Sequence, residues 1–347
     1  MPELPEVQAL ATFVASRGRG RRIARVELLS FAALKTVSPP LSALVGRDIA
    51  GCGRRGKFLL IETVPGEPMS PGPAPGPAAG GAASSEPAPR TTEDGPPPAR
   101  LWLVVHFARA GWLRWRDAPP GADRAARSTA PAEDLAPGLR AVPPGDATRP
   151  RIRGGPLAMR ATLDDGSGFD LTEAGTQKRL AVYVVRSPEE VDGIARLGVD
   201  PLDPAFDAAA LGRLLGGRSG QLKHLLADQS VIAGVGNAYS DEALHAARLS
   251  PFRPAGNLSP EETTRLHDAL LMVLREALAR NEGVPASELK DGKRAAMRVH
   301  GRTGLPCPVC GDTVREVSFA DRSLQYCPTC QTGGKPLADR RLSRLLR

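Results

Sequence analysis

Residues 307–330 read CPVCGDTVREVSFADRSLQYCPTC, and a Cys-x-x-Cys pair stands at each end of this stretch. Each pair places two thiolates on one tight turn, so two such pairs can complete a tetrahedral zinc site. The residues between them predict a β-hairpin with strands Thr313–Phe319 and Ser323–Tyr326. We therefore expect one structural zinc ion, and a redox role is the alternative. The expected ligands are Cys307, Cys310, Cys327 and Cys330.

Positive charge is concentrated around this segment. The chain of 347 residues has 46 Lys and Arg against 38 Asp and Glu, a formal net charge of +8. From Ala286 to Arg347 there are 12 Lys and Arg against 6 Asp and Glu, a net of +6. A basic region of this kind is typical of a nucleic-acid-binding surface, and a solubilising basic tail is the alternative.

The composition argues against several classes of protein. No run of about 18 apolar residues is present, so we expect no membrane span. The first ten residues, MPELPEVQAL, lack the basic and apolar regions of a secretory signal. Five cysteines are too few for a disulfide scaffold of this length. We expect a cytoplasmic protein, associated with the nucleoid if bacterial.

Two low-complexity insertions interrupt the first half of the chain. Residues 65–99 and 117–156 are rich in Pro, Gly and Ala, and the first of them contains no Leu, Ile, Val or Phe. A segment of this composition cannot bury enough apolar surface to offset its loss of chain entropy. We therefore expect both insertions to be disordered.

Outside the insertions, the first half predicts strands and the second half predicts helices. The predicted strands are Ile23–Ser30, Lys57–Val64, Leu101–Phe107, Leu157–Leu163 and Leu180–Val185. The predicted helices are one at the N-terminus, then Asp207–Leu215, Gln221–Ala227, Ala238–Ala247 and Pro260–Arg280. We expect an α+β chain with a β-rich domain over 1–195, a helical domain over 200–300 and a zinc hairpin with a basic tail over 301–347.

The N-terminus carries residues that can support chemistry. Removal of the initiator Met would leave Pro2 with a secondary amine, which can attack a sugar aldehyde carbon and form an iminium ion. An α-amine has a lower pKa than a Lys side chain, so more of it is unprotonated near neutral pH. Glu3 beside it could transfer protons. The alternative is that Pro5, Glu3 and Glu6 only favour the start of a helix.

Four motifs occur in a characteristic order. They are MPELPEV at 1–7, Arg55-Gly56-Lys57 before a strand, GVGNAY at 234–239 between two helices, and the C-terminal Cys pairs. Together they resemble the formamidopyrimidine-DNA glycosylase and endonuclease VIII family of base-excision repair enzymes. The resemblance implies an N-terminal antiparallel β-sandwich fronted by a helix, a helix–two-turn–helix domain and a zinc β-hairpin.

The resemblance also implies an activity. It implies a bifunctional DNA glycosylase and AP lyase that excises oxidised bases and cleaves abasic sites, with the target nucleotide flipped out of the duplex. Pro2 would attack C1′, Glu3 would donate the proton, and Lys57 would assist strand cleavage. Arg322, five residues before Cys327, would assist the last elimination and hold phosphate.

The implied partner is damaged double-stranded DNA. We expect a monomer with no small-molecule cofactor. A non-catalytic protein of the same fold that binds damaged DNA is the alternative, and a zinc-ribbon interaction module would explain only the C-terminus.

The second half offers further candidate DNA contacts. Backbone N–H groups of the turn at 234–237 could bind a phosphate, because a Gly-rich turn into a helix exposes them. Asn237 could cap that helix and contact the DNA backbone. Lys223 on the preceding helix could add charge, or it could be a solvated surface lysine.

Two segments depart from the family pattern. The segment His-Leu-Gly-Met-Ser-Gly corresponds here to His106–Gly111, with Arg109 at the Met position. The turn Asp-Pro-Arg-Arg-Phe-Gly corresponds to Thr176–Ala181, where Arg179 keeps a phosphate contact and Leu180 stands at the Phe position. These are the side chains that fill the space left by a flipped base. The sequence therefore predicts poor discrimination of 8-oxoguanine alongside intact cleavage groups.

Overall fold

The computed structural model describes residues 1–66, 100–118, 151–152, 155–318 and 323–338. Most of both insertions, the turn of the C-terminal hairpin with Arg322, and the basic tail lie outside the described residues, and so do the predictions made for them. Within the described ranges, no helix is long and apolar enough to cross a membrane.

Two antiparallel sheets form the N-terminal domain. The strands of the first sheet are β1 (Ile23–Leu28), β5 (Gly111–Arg116), β6 (Arg151–Ile152), β7 (Gly155–Leu163) and β8 (Gly168–Glu173). Those of the second are β2 (Arg47–Arg55), β3 (Phe58–Pro65), β4 (Leu101–His106) and β9 (Ala181–Val185). The first sheet has the order β1-β7-β8-β5, with the short β6 paired to β7, and the second has the order β2-β3-β4-β9.

All five predicted strands are present, but the sequence analysis did not predict β2, β5, β6 and β8. Strand β6 and the start of β7 fall within residues 117–156, so the expectation of disorder is wrong for 151–152 and 155–156. Polar residues of the unpredicted strands pair across the sheet. Arg116 on β5 and Arg160 on β7 both bind the buried carboxylate of Asp170 on β8, at 3.1 and 2.8 Å. A buried carboxylate with two guanidinium partners is tolerated, because its charge is compensated and hydrogen-bonded.

Helices make up the second domain. They are α2 (Asp192–Ala195), α3 (Ala208–Leu215), α4 (Leu222–Ala227), α5 (Asn237–Ala246), α6 (Pro260–Asn281) and α7 (Leu289–Ala296), after α1 (Leu4–Gly18) at the N-terminus. The four helices predicted here are confirmed to within one residue at each end. Gly236, rather than Asn237, is the N-cap of α5, and it has no side chain with which to accept from the first N–H groups of the helix. The predicted capping role of Asn237 is therefore wrong. Helices α2 and α7 were not predicted.

Helix α1 connects the two domains. Its buried residues Val7, Leu10 and Val14 belong to the sandwich core, and α1 also packs against α6. The Leu4 N–H donates to the Gly234 carbonyl at 3.0 Å, directly before α5. Gly234 has a φ of +89°, and a Cβ there would lie 2.8 Å from the Leu4 Cβ. The first turn of α1 is thus held against the start of α5.

The C-terminal module is a hairpin followed by a short helix. Strand β10 (Arg315–Ser318) pairs antiparallel with β11 (Ser323–Tyr326), and α8 (Pro328–Thr332) follows. The predicted hairpin is confirmed, with a shorter first strand than expected.

Candidate active site and metal centre

A cavity of about 900 Å³ lies between the β-sandwich and the helical domain. Five residues that the sequence singled out line it: Pro2, Glu3, Lys57, Arg109 and Asn237. The helical side adds Lys290, Lys293, Arg294 and His300. Five Lys and Arg side chains face two carboxylates, Glu3 and Glu6, so the lining is basic overall.

Glu3 is fixed at the N-terminal end of α5. Its carboxylate accepts N–H bonds from Gly236 at 2.7 Å, Ala238 at 3.0 Å and Tyr239 at 3.4 Å, and the residue is 2% exposed. The end of the Gly-rich turn and the first turn of α5 therefore bind a carboxylate of the chain itself. The sequence analysis had proposed a phosphate as the partner of the turn.

The protonation of Glu3 follows from this setting. Burial alone would raise the pKa of Glu3, but the charges of Lys293 and Lys57 and the Ala238 N–H outweigh it and lower the pKa to about 2. Glu3 is thus a carboxylate at neutral pH, before any substrate binds.

Glu6 is buried beside Glu3 and is fully paired. Its Oε1 accepts from the Tyr239 hydroxyl at 2.6 Å, and its Oε2 accepts from the Glu3 N–H at 2.9 Å and from the Lys293 Nζ at 2.8 Å. Glu6 therefore orients the segment that carries Pro2 and Glu3.

Lys57 reaches the same point from the β2–β3 turn. Arg55 pairs with Phe58, so Gly56 and Lys57 form a two-residue hairpin loop in which Gly56 has a φ of +53°. Lys57 is 7% exposed, and burial, together with the charges of Lys293 and Lys223, lowers its pKa despite the opposing effect of Glu3. A lowered pKa makes this ammonium a better proton donor than an exposed lysine.

Gly236 allows Glu3 and Lys57 to approach one another. A Cβ built on Gly236 would lie 2.6 Å from the Glu3 Cδ and 2.7 Å from the Lys57 Nζ. Both groups therefore pack directly on the backbone, and no other residue fits at this position without displacing them.

Pro2 is buried at the floor of the cavity, where its nitrogen is bonded to Met1. The terminal amine of the chain lies in the same surroundings. Burial and then the charge of Lys293 lower the pKa of that amine. Removal of Met1 would place the terminal amine on Pro2.

Lys223 lies inside the protein rather than on its surface. It is 4% exposed, and its Nζ donates to the Asn237 carbonyl at 2.8 Å, the Ser240 hydroxyl at 2.8 Å and Asp241 at 2.6 Å. These bonds fix the first turn of α5. The sequence interpretation of Lys223 as a solvated surface lysine is wrong, and its DNA contact stays a prediction.

Arg109 and Arg179 are exposed on loops, and Leu180 is not. Arg109 follows Ala108, which has a φ of +49°, in the link between β4 and β5. The N–H groups of Arg179 and Leu180 both donate to Glu173 Oε1, at 2.6 and 2.8 Å. Leu180 is 1% exposed in the sandwich core, so it presents no wedge to DNA.

The four predicted cysteines come together. Their Sγ atoms all lie within 4.8 Å of one another, with 3.9 Å between Cys307 and Cys330 and 3.3 Å between Cys310 and Cys327. Tetrahedral zinc with Zn–S bonds of about 2.3 Å needs Sγ separations of about 3.8 Å, so this set fits one zinc ion. The His245 Nε2 lies 3.3 Å from the Cys307 Sγ and connects the cluster to α5.

Comparison with known proteins covers the same three parts of the chain. Residues 1–136 match the formamidopyrimidine-DNA glycosylase N-terminal domain, 197–287 the H2TH domain of these enzymes, and 304–333 a zinc finger found in FPG and IleRS. Formamidopyrimidine-DNA glycosylase of Roseiflexus sp. is 33% identical over 345 residues, which cover 95% of this chain and 100% of that protein. The chain belongs to the formamidopyrimidine-DNA glycosylase family.

Other relatives agree with this family. An uncharacterised formamidopyrimidine-DNA glycosylase-like protein of Mycobacterium tuberculosis is 62% identical over 151 residues, 44% of this chain and 94% of that protein. The crystal structure of MutM (Fpg) from Thermus thermophilus has a TM-score of 0.66 and 28% identity, covering 96% of this chain and 100% of that one. Lactococcus lactis Fpg in complex with abasic-site DNA shares the fold, with a TM-score of 0.68, 20% identity, and 95% and 99% coverage.

Membership of the formamidopyrimidine-DNA glycosylase family confirms the predicted fold and the zinc finger with its four cysteines. It makes the protein a DNA-binding repair protein of a glycosylase family. The roles of individual cavity residues stay predictions.

Sequence reasoning missed the basic face of α7. Lys290, Lys293 and Arg294 all line the cavity. Helix α7 is short, has few apolar residues and contains Gly292, which explains why it escaped prediction. The available signal was the spacing of the three cations, since residues three and four apart share one face of a helix.

Proposed function

We propose that this member of the formamidopyrimidine-DNA glycosylase family is a bifunctional DNA glycosylase and AP lyase that acts on oxidised bases and abasic sites through an N-terminal proline. The observation that carries the proposal is the convergence of Pro2, Glu3 and Lys57 in one basic cavity between the two domains. An N-terminal amine, a buried carboxylate and a buried lysine are the groups that imine chemistry on a sugar needs.

The first step follows from the resting protonation of the site. The neutral Pro2 amine attacks C1′, and a C1′–N bond to proline forms as the bond to the damaged base breaks. The amine loses its proton to Glu3, which is ionised beforehand because its pKa is about 2. Glu3 then returns this proton to the departing base, so it acts first as acceptor and then as donor.

The second step cleaves the strand. The C1′–O4′ bond breaks as O4′ takes up a proton from solvent, which leaves an iminium ion between C1′ and the Pro2 nitrogen. The iminium ion acidifies the C2′ proton, and loss of that proton to solvent expels the 3′ phosphate. Lys57, buried beside Glu3, assists this step, and its lowered pKa favours proton transfer to the leaving group. Arg322 is assigned the last elimination from the family resemblance alone.

DNA would lie across the opening of the cavity, with its backbone near the cations of both domains. A basic lining attracts phosphates, and the flipped nucleotide would enter the cavity to bring C1′ to Pro2. The zinc ion would be held by the four cysteines and would fix the hairpin beside α5, with a structural role only. We propose a monomer as the active form.

Covalent trapping tests the proposal. Protein with Met1 removed should form a borohydride-reduced adduct with abasic-site DNA. A variant with a short extension before Pro2 should bind the same DNA but form none, because its Pro2 nitrogen is an amide. Equal trapping by the extended variant would refute the role of Pro2. A processed protein that binds abasic DNA without any adduct would instead be a damage-binding protein.

A further inference from the structure

Lys293 is the cation in closest contact with the two buried carboxylates. Its Nζ lies 2.8 Å from Glu6 Oε2 and 3.7 Å from Glu3 Oε1, and its side chain is 13% exposed. The same Nζ donates to the Met1 carbonyl at 3.5 Å and lies 4.5 Å from the centre of the Tyr239 ring. The ammonium is therefore held at one place by contacts on several sides.

This position brings Lys293 close to both reacting groups. The Met1 carbonyl oxygen is two bonds from the Pro2 nitrogen, so that nitrogen lies within roughly 6 Å of the Nζ. After burial, Lys293 has the largest effect on the pKa of Glu3 and on the pKa of the terminal amine, which belongs to Met1 in this structure, and it lowers both. One cation thus favours an ionised carboxylate and a neutral amine at the same time.

We propose that Lys293 is a positioning residue of this reaction, whose ammonium pairs with the Glu3 and Glu6 carboxylates and lies within roughly 6 Å of the nitrogen that attacks C1′. Its charge at this place favours a neutral amine and an ionised Glu3. That combination is the one from which the amine can attack C1′ and pass its proton to Glu3. The inference rests on the proposed function.

Other charged or titratable groups face this site from each neighbouring element. They are Glu6 of α1, Lys57 of the β2–β3 turn, Lys223 of α4, Tyr239 of α5, Arg280 of α6, Lys290 of α7 and His300 after α7. Lys57 also acts on Glu3, but only Lys293, among the described residues, forms ion pairs with Glu3 and Glu6. Lys293 is therefore the group whose removal isolates the effect.

The test is the pH dependence of adduct formation. Lys293→Gln removes the charge and keeps a donor for Glu6. Single-turnover trapping on abasic-site DNA, with saturating Met1-processed protein, should show an acidic limb about 1 to 3 pH units higher than in wild type, because both groups regain protons more readily without the cation. The rate on the alkaline plateau should stay within a few-fold of wild type. Lys293→Arg keeps the charge and should keep the wild-type limb.

Lys290→Gln is the matched control. Lys290 lies on the same helix and lines the same cavity, but its Nζ rests 4.4 Å from the centre of the Trp112 ring. Each of the two Gln variants loses one cation, so both should show a similar loss of DNA affinity and a similar decrease in its salt dependence. Lys290→Gln should move the acidic limb much less than Lys293→Gln, because Lys290 has the smallest effect of the main charges that act on the pKa of the terminal amine and is not among those that act on the pKa of Glu3.

The outcomes are distinct. A rate that falls equally at every pH in Lys293→Gln, with an unmoved limb, would overturn the inference and leave Lys293 a structural residue. Lys293→Met, a second charge-free variant, reports the same limb if the Gln variant fails to fold. Absence of any adduct with wild-type protein would contradict the proposed function itself and is recognised before the variants are compared.

Discussion

The two ends of the cavity are built differently. The carboxylate site (Glu3, Glu6, Lys57, Gly236 and Lys293) is buried, and each of its carboxylates is hydrogen-bonded to the backbone and compensated by nearby cations. The exposed loops, which are the links between β4 and β5 and between β8 and β9, carry Arg109 and Arg179, and both of these side chains are exposed. A buried, mutually fixed group tolerates little change, whereas a side chain on an exposed loop can change without loss of the fold. The carboxylate site would therefore carry out the chemistry, and the exposed loops would set the lesion preference.

The largest effect is expected when one methyl group is added to the carboxylate site at Gly236. Gly236→Ala would place a Cβ 2.6 Å from the Glu3 Cδ and 2.7 Å from the Lys57 Nζ, so both side chains must move. Because misplacement of about 1 Å costs on the order of 100-fold in rate, we expect at least that loss of adduct formation on abasic DNA. Single-turnover trapping measures it.

Gly212→Ala on α3 is the control for this change. The nearest atom to its added Cβ is the Thr263 Cγ2 at 3.6 Å, an ordinary contact. This variant should trap DNA at the wild-type rate. A wild-type rate in Gly236→Ala would mean that the carboxylate site is not the reacting site.

The sequence predicted one end better than the other, for physical reasons. Pro2, Glu3 and Lys57 stand in short motifs whose local geometry carries them into the cavity. The sequence left Lys223 open between a DNA contact and a solvated surface lysine, because its partner Asp241 lies 18 residues away and no local pattern predicts such a pairing. Leu180 was a candidate wedge because it stands at the Phe position of the family's turn, and an apolar residue there can be either buried or exposed. Only the packing of the two sheets decides between them.

The same limit explains the missed elements. Strands β5 and β8 contain charged residues that pair with one another only after the sheet has formed. Helix α7 has one buried apolar residue, Leu289 in the sandwich core, and its Lys293 binds Glu6 from α1. Apolar periodicity in the sequence predicts elements with a buried apolar face well, and it predicts poorly those elements whose buried charges are paired.

The buried charge of Glu3 predicts a pH-dependent stability. Its folded pKa of about 2 lies below the ordinary value of 4.5, so its ionisation stabilises the fold above pH 4.5, and this contribution is lost as the pH falls toward 2. Between pH 6 and 3.5, wild type should lose roughly 1 kcal/mol more unfolding free energy than Glu3→Gln, as measured by urea unfolding. Glu282→Gln, an exposed carboxylate variant, should follow wild type. The zinc ligands become protonated in wild type and in Glu3→Gln alike, so the difference in unfolding free energy between these two proteins is the quantity to compare. Parallel curves for wild type and Glu3→Gln would refute the pKa assignment.

The smaller of the two effects on rate is expected at the exposed loops, and it separates recognition from cleavage. Arg109 lines the cavity, and a guanidinium can stack on a base or bond to a base edge where an apolar side chain would only fill space. Arg109→Ala should therefore slow excision of an oxidised base about 10-fold, a loss of about 1.4 kcal/mol, and leave abasic-site cleavage almost unchanged. Arg179→Ala is the matched comparison, because a lost phosphate contact should weaken binding to both substrates equally and reduce the salt dependence of binding by about one charge.

The substrate preference is measured as single-turnover rates on matched duplexes with an oxidised pyrimidine, 8-oxoguanine opposite cytosine, or an abasic site. The abasic site or the pyrimidine should be processed faster than 8-oxoguanine, since no Met or Phe wedge stands at the loop positions. Efficient 8-oxoguanine excision by the unmodified protein, or equal losses on all substrates in Arg109→Ala, would show that the exposed loops do not set the preference.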